Sequence, residues 1–139
     1  MTMLDATRTD QPEQPLPAGQ QPEARPPLYP NVETWVTGYF APMFLHRVPG
    51  SQRVRWCARW WDHAEAIARL TVLWNTWEAA RWEPSAKPGW WLDLDHHLPL
   101  LLGLDGPFRN CRQAEGTRPG KHEQEVVPAI GPAPASWWD

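Results

Sequence analysis

The chain has 139 residues, which is room for one domain at most, and a formal net charge of −3. This charge argues against a general nucleic-acid coat, which needs an excess of basic residues. The sequence contains no apolar run of membrane-spanning length, no basic start followed by an apolar secretion signal, and too few cysteines for a disulfide scaffold. We therefore expect a cytoplasmic protein with free thiols and no membrane contact.

Both ends of the chain have the composition of disordered tails. Residues 1–28 are rich in proline and glutamine and have few large apolar side chains, so they cannot bury enough surface to offset the entropy of ordering. Residues 112–139 contain four prolines and seven charged residues and are predicted to be mostly disordered, with Trp137 and Trp138 unusual for such a tail. The folded helical domain is predicted to cover residues 29–111.

Three helices are predicted within this domain. Asn31 is suited to an N-cap, and the apolar residues that follow it at helical spacing are Val32, Trp35, Val36, Tyr39 and Met43. The second helix is predicted to begin at Asp62 or His63, with Asp62 the better N-cap, and to end before Pro84. The third begins near Trp90 and is predicted to be interrupted at Pro99.

The segment 53–61 lies between the first two helices and alternates in an extended register. Its two faces would be Val54, Trp56, Ala58 and Trp60 on one side, and Arg53, Arg55, Cys57, Arg59 and Trp61 on the other. A short strand and a packed irregular segment are equally consistent with this pattern. The predicted fold is therefore mainly α: a small three-helix domain with a tryptophan-rich core, one extended segment and disordered tails at both ends.

Two motifs within residues 29–111 are specific in combination. They are Trp-Cys-x-x-Trp-Trp-x-His, at residues 56–63, and Asp-Gly-Pro-Phe-x-x-Cys, at residues 105–111. With the run that begins at Tyr29 and the pair Trp90–Trp91, they resemble a family of small actinobacterial domains of unknown function. The resemblance implies a soluble, cytoplasmic accessory protein without an assigned activity, of a kind often encoded on plasmids, phages and conjugative elements.

Two cysteines and two histidines form the sharpest candidate for a chemical site. The set is Cys57, His63, Cys111 and either His96 or His97, of which we choose His97. Two thiolates and two imidazoles are a known tetrahedral zinc set, and the ion would contribute to folding. Part of the support for this zinc hypothesis comes from the family resemblance, because these residues lie within the motifs that carry it. The alternatives are buried cysteines that act as small hydrophobic residues, with surface histidines, or a disulfide, which a reducing cytosol disfavours.

Arginine and tryptophan residues are interleaved in the extended segment. If exposed, Arg53, Arg55 and Arg59 could bind single-stranded nucleic acid by phosphate pairing beside stacking tryptophans. Their aliphatic stems could equally cover core tryptophans. The second interpretation is favoured, because residues 29–111 contain eight Lys/Arg against eight Asp/Glu.

Nothing in the sequence has the pattern of a catalytic site. No nucleophile has a base at a recognisable spacing, and there is no glycine-rich phosphate loop. We therefore predict a small non-catalytic protein-interaction or accessory module of a mobile genetic element, which contacts another protein through Trp61, Trp90 or Trp91. The alternatives are a DNA-associated protein that uses Arg53, Arg55 and Arg59, and a structural zinc-binding domain.

Overall fold

Three helices carry the fold of residues 25–139, the part of the chain that the computed structural model describes. They are α1, residues 32–44, α2, Ala64–Ala80, and α3, Lys87–Leu102. Residues 25–139 contain no strand, only two isolated β-bridges near the C-terminus. The prediction of a mainly α, three-helix domain with a tryptophan-rich core is confirmed. Residues 1–24 of the predicted N-terminal tail lie outside the part of the chain that the structure describes.

Asn31 is the N-cap residue of helix α1, as predicted, and the helix contains an irregular turn. The Asn31 side chain accepts a hydrogen bond from the Thr34 amide at 2.8 Å, and Thr34 Oγ1 accepts one from the Asn31 amide. The stretch Val36–Phe40 is a π-helix and precedes the α-helical turn Ala41–Phe44. Because Pro42 has no N–H and its ring crowds the preceding turn, the wider π-turn accommodates it.

The π-turn changes which side chains of α1 face the core. A π-turn holds more residues than an α-turn, so the side chains that follow it are rotated around the helix axis. Phe40 and Phe44 are buried as a result, whereas Met43, predicted to lie on the apolar stripe, is 44% exposed.

Leu28 and Tyr29 pack and hydrogen-bond against α2 near the start of the described chain. The Tyr29 ring lies 5.6 Å from the Trp77 ring, and the Tyr29 carbonyl accepts a hydrogen bond from Trp74 Nε1. The amides of Leu28 and Tyr29 both donate to the Glu78 carboxylate at 2.9 Å. Burial raises the pKa of Glu78, but these hydrogen bonds outweigh that effect and hold it below its usual value.

Helices α2 and α3 pack against each other along most of their length. Leu70 and Leu73 of α2 are buried, as are Leu94 and Leu101 of α3. Helix α3 continues through Pro99, where an interruption was predicted. Burial of the leucines on both sides of Pro99 compensates for the one backbone hydrogen bond that proline removes. No helix in residues 25–139 combines the length and apolar character needed to cross a bilayer.

The segment before α2 is extended but does not alternate throughout. The Arg55 amide donates to the Leu102 carbonyl at 2.8 Å, which holds the segment at the end of α3. Trp56 and Cys57 are both buried, and Ala58 is exposed. The alternation fails here because residues 58–59 form a turn that leads into the 3-10 helix Trp60–Asp62.

The packed region extends beyond Cys111, where the domain was predicted to end. Two β-bridges, Arg112 with Lys121 and Glu115 with Arg118, fold residues 112–121 into a hairpin around Gly116, whose φ is +55°. The residues that follow, up to residue 125, make hydrogen bonds to Asp62, His63 and Cys111 of the helical domain, and residues 112–125 together form the C-terminal arm. This arm is polar, so its composition resembles a tail although hydrogen bonds hold it in place. From residue 126 onward every residue is exposed.

Candidate metal centre

Four side chains converge between the start of α2 and the C-terminal arm. They are Cys57, His63, Cys111 and His122, and their ligand atoms all lie within 4.8 Å of one another. Cys57 Sγ lies 3.1 Å from His122 Nδ1, and Cys111 Sγ lies 3.6 Å from His63 Nε2. Tetrahedral zinc with ordinary bond lengths separates sulfur and nitrogen ligands by about 3.5 Å. The cluster therefore has the residue types and the dimensions of a zinc site.

Each ligand comes from a different local structure. Cys57 ends the extended segment, and His63 is the N-cap residue of α2, with extended backbone and no side-chain cap. Cys111 follows a series of turns, and its amide donates to the Phe108 carbonyl at 2.9 Å. His122 comes directly after the Lys121 bridge of the arm. The arm is therefore the element that completes the cluster.

Both histidines are oriented by carboxylates. His63 Nδ1 lies 2.6 Å from Glu125 Oε1, and His122 Nε2 lies 2.9 Å from Asp62 Oδ2. An ionised carboxylate can only accept, so these two nitrogens carry the protons. In this tautomer of the neutral imidazole, the lone pairs of His63 Nε2 and His122 Nδ1 face the cysteine sulfurs. A histidine whose distal N–H binds a carboxylate is the usual arrangement of a metal ligand.

The two carboxylates are themselves held in the charged form. Desolvation raises the pKa of Glu125, but the hydrogen bond from His63 outweighs it and leaves the pKa below its usual value. Desolvation also raises the pKa of Asp62, and hydrogen bonds from Gln124 and His122 lower it by more. Gln124 Nε2 donates to Asp62 Oδ1 at 2.9 Å. Each histidine therefore faces a negative charge on the side away from the cluster.

The cysteine sulfurs are buried, and the Glu123 amide donates a hydrogen bond to Cys111 Sγ at 3.4 Å. Burial raises the pKa of the Cys57 thiol to about 11, and the neighbouring Cys111 adds to this effect. A cation placed between the two sulfurs would stabilise both thiolates.

The cluster is enclosed on all sides but one. Cys57, His63 and Cys111 are at most 1% exposed, whereas the His122 side chain is 17% exposed. The Phe108 ring meets the His63 ring edge-on at 5.1 Å and keeps that side apolar. The free cysteines form no disulfide.

The structure brings together three of the four ligands chosen from the sequence, and His122 stands where His97 was expected. His97 lies on α3, where its Nδ1 is 2.9 Å from Arg69 Nη1. Burial and the charge of Arg69 lower its pKa. His96 neighbours His97 on the same helix and is also outside the group. Sequence reasoning missed His122 because it lies in a stretch with tail composition; the turn residues Gly116, Pro119 and Gly120 before it were the available signal.

The arginines proposed to bind nucleic acid have different environments. Arg53 is exposed, and Arg55 is partly buried. Arg59 pairs with Asp62 at 3.4 Å, and its guanidinium lies 5.3 Å from the centre of the exposed Trp61 ring. These three side chains therefore do not have the same exposure or the same partners.

The tryptophans proposed as contact residues also separate into two groups. Trp61 is 52% exposed and Trp91 is 45% exposed. Trp90 is only 4% exposed, and its Nε1 donates to the Leu73 carbonyl at 2.9 Å. Trp90 is therefore a core residue, whose indole joins α3 to α2.

A family model described as "Domain of unknown function (DUF4913)" matches residues 29–131. The match begins at Tyr29, where the folded domain was predicted to start, and extends past Cys111 to include His122 and Glu125. No curated protein and no solved structure matches the chain.

Proposed function

Because the chain belongs to the DUF4913 family of domains of unknown function, we propose its function from the site: a small non-catalytic module whose fold a structural zinc ion completes. Cys57, His63, Cys111 and His122 would hold the ion. The observation that carries the proposal is their convergence within 4.8 Å, with a carboxylate on the distal nitrogen of each histidine.

The choice of zinc follows from the chemistry of the ligands. Two thiolates and two imidazoles favour zinc over magnesium or calcium, which prefer oxygen ligands. Four protein ligands leave no open coordination position, which is the mark of a structural site and not of a catalytic one. The metal would join the segment before α2 to the C-terminal arm and so stabilise the folded state.

Native mass spectrometry with elemental analysis tests the metal centre. We expect about one zinc per chain, loss of zinc in His122→Ala, and full retention in the matched variant His97→Ala. Removal of zinc by a chelator should lower the thermal midpoint of unfolding. The proposal is wrong if the purified protein holds no zinc after incubation with the ion, or if a chelator leaves its thermal midpoint unchanged.

Exposed tryptophans support the role of an interaction module with a protein partner. Trp61 and Trp91 each leave about half of a large side chain in solvent, and tryptophan is enriched at the centres of protein interfaces. Trp61→Ala and Trp91→Ala should weaken binding to a purified partner and leave the thermal midpoint unchanged. Equal loss of stability in both variants would make them structural residues instead.

The setting of the module is proposed from the sequence resemblance. We place it in the cytoplasm, as an accessory protein of an actinobacterial mobile genetic element. The neighbouring genes test this: plasmid, phage or conjugation genes are expected beside it. DNA binding through Arg53, Arg55 and Arg59 has less support. Of these three residues, Arg59 is paired with Asp62, Arg55 is partly buried, and only Arg53 is both exposed and without an ion pair within residues 25–139.

A further inference from the structure

A basic cleft lies between the extended segment and the C-terminal arm. Its volume is about 250 Å³. The basic side chains that line it are Arg55, Arg109, Arg112, Arg118 and Lys121. Glu115 is the one acid among its lining residues in the described part of the chain. The cleft is thus strongly positive although the whole chain is acidic.

Most of the positive charge in the cleft is not neutralised by ion pairs of the protein. Within residues 25–139 none of its four arginines makes an ion pair, and Lys121 makes only an exposed one with Glu123 at 3.4 Å. Glu115 offsets one of the five positive charges: hydrogen bonds to its Oε1 from the Gly50 amide at 3.1 Å and from Gln113 Nε2 at 3.2 Å, and the charge of Arg118, hold its pKa below its usual value. Like charges gathered in a concave surface attract an anion.

Arg55 adds a second, independent indication. Its Nε is buried and has no hydrogen-bond partner within the described chain. A buried N–H without an acceptor costs free energy, and native proteins rarely leave one. Because Arg55 Nε is closed to solvent, an anion in the cleft that Arg55 lines would supply the missing acceptor once the guanidinium turned toward it.

We propose that this cleft binds the phosphate group of a ligand. Guanidinium groups present their donors in a planar fork that fits phosphate oxygens, and several of them suit a multiply charged group better than a single carboxylate. The cleft adjoins the metal centre, because Cys111 is one of its lining residues. Cys111 and His122 also flank the stretch that carries Arg112, Arg118 and Lys121, so a bound zinc would hold one wall of the cleft in place.

Calorimetry with two probes at low salt tests the proposal: inorganic pyrophosphate and a single-stranded oligothymidine. The variant is Arg55→Gln/Arg118→Gln, because neither side chain makes a hydrogen bond within residues 25–139. The matched control is Arg47→Gln/Arg53→Gln, which removes the same charge from exposed residues outside the cleft. We expect the cleft variant to bind at least about tenfold more weakly and the control to bind like the wild type.

The two probes identify the source of the phosphate. Binding of pyrophosphate alone would indicate a small phosphorylated ligand, and tighter, salt-dependent binding of the oligonucleotide would indicate a nucleic-acid strand. Failure of the wild type to bind either probe, or equal weakening in both double variants, would overturn the proposal. Zinc content measured on the same samples separates a failure of the cleft from a failure of the metal centre.

Discussion

His63 combines a backbone role with a side-chain role. Its extended backbone, with φ −114° and ψ 114°, begins α2, but its side chain points inward and caps nothing. Asp62, which the sequence favoured as the N-cap, instead accepts hydrogen bonds from His122 and Gln124. A side-chain cap typically stabilises a helix by about 1 kcal/mol, and α2 begins without one. The side chains of Asp62 and His63 therefore contribute to the cluster and not to the start of the helix.

Glu125 should matter more to metal affinity than its sequence position suggests. Glu125→Ala removes the carboxylate that holds His63, and loss of such a partner typically weakens metal binding by about 10- to 100-fold. Glu123→Ala is the matched control, because its side chain makes only an exposed ion pair with Lys121. Competition with a chromophoric zinc chelator measures both affinities. Equal affinities for the two variants would mean that Glu125 does not support the ligand.

Helix α1 is shaped by a close contact with the chain that precedes it. A Cβ added at Gly38 would lie 2.6 Å from Tyr29 Cε1, well inside contact distance. Alanine favours a helix over glycine by about 1 kcal/mol, yet we expect Gly38→Ala to destabilise the protein by about 1–3 kcal/mol, because the Tyr29 ring must move. Denaturant unfolding measures this change.

A second substitution separates the two effects of Gly38→Ala. In a Tyr29→Ala background the clash is absent, so the same change should become stabilising through helix propensity alone. If Gly38→Ala destabilises both backgrounds equally, the contact with Tyr29 is not the reason for glycine at this position.

The elements differ in how well local sequence specifies them. The existence of α2 and the Asn31 N-cap follow from patterns within a few residues, and both were predictable. The passage of α3 through Pro99 and the π-turn before Pro42 depend on burial against other elements, which periodicity does not reveal. The C-terminal arm was missed because its hydrogen-bond partners are about 60 residues away in the chain.

The candidate site shows the same division at the scale of the whole molecule. Cys57, His63 and Cys111 lie in the two specific motifs at residues 56–63 and 105–111, so they could be singled out from the sequence. His122 could not be chosen over His97 from sequence, because His122 lies in a stretch with the composition of a tail, whereas His97 lies within the predicted domain. Only the folded chain places one in the cluster and the other against Arg69.

Two truncations test where the domain ends. Removal of residues 126–139 deletes only exposed residues and should change the free energy of unfolding by less than about 0.5 kcal/mol. Removal of residues 112–139 deletes His122 and Glu125 and should abolish stoichiometric zinc. In the presence of zinc it should cost at least about 3 kcal/mol. Thermal unfolding with zinc analysis measures both. Normal zinc content in the chain that lacks residues 112–139 would mean that the domain ends at Cys111.

The unequal exposure of the four ligands has a kinetic consequence. A metal ion enclosed by Cys57, His63 and Cys111 could meet solvent only on the side of His122. Residues 112–125 are held by hydrogen bonds more than by apolar burial, so they should detach at a lower free energy than the helices. Exchange of a bound ion with an isotopically labelled one would then follow the opening of this arm, and its rate would be independent of how slowly the helical core unfolds.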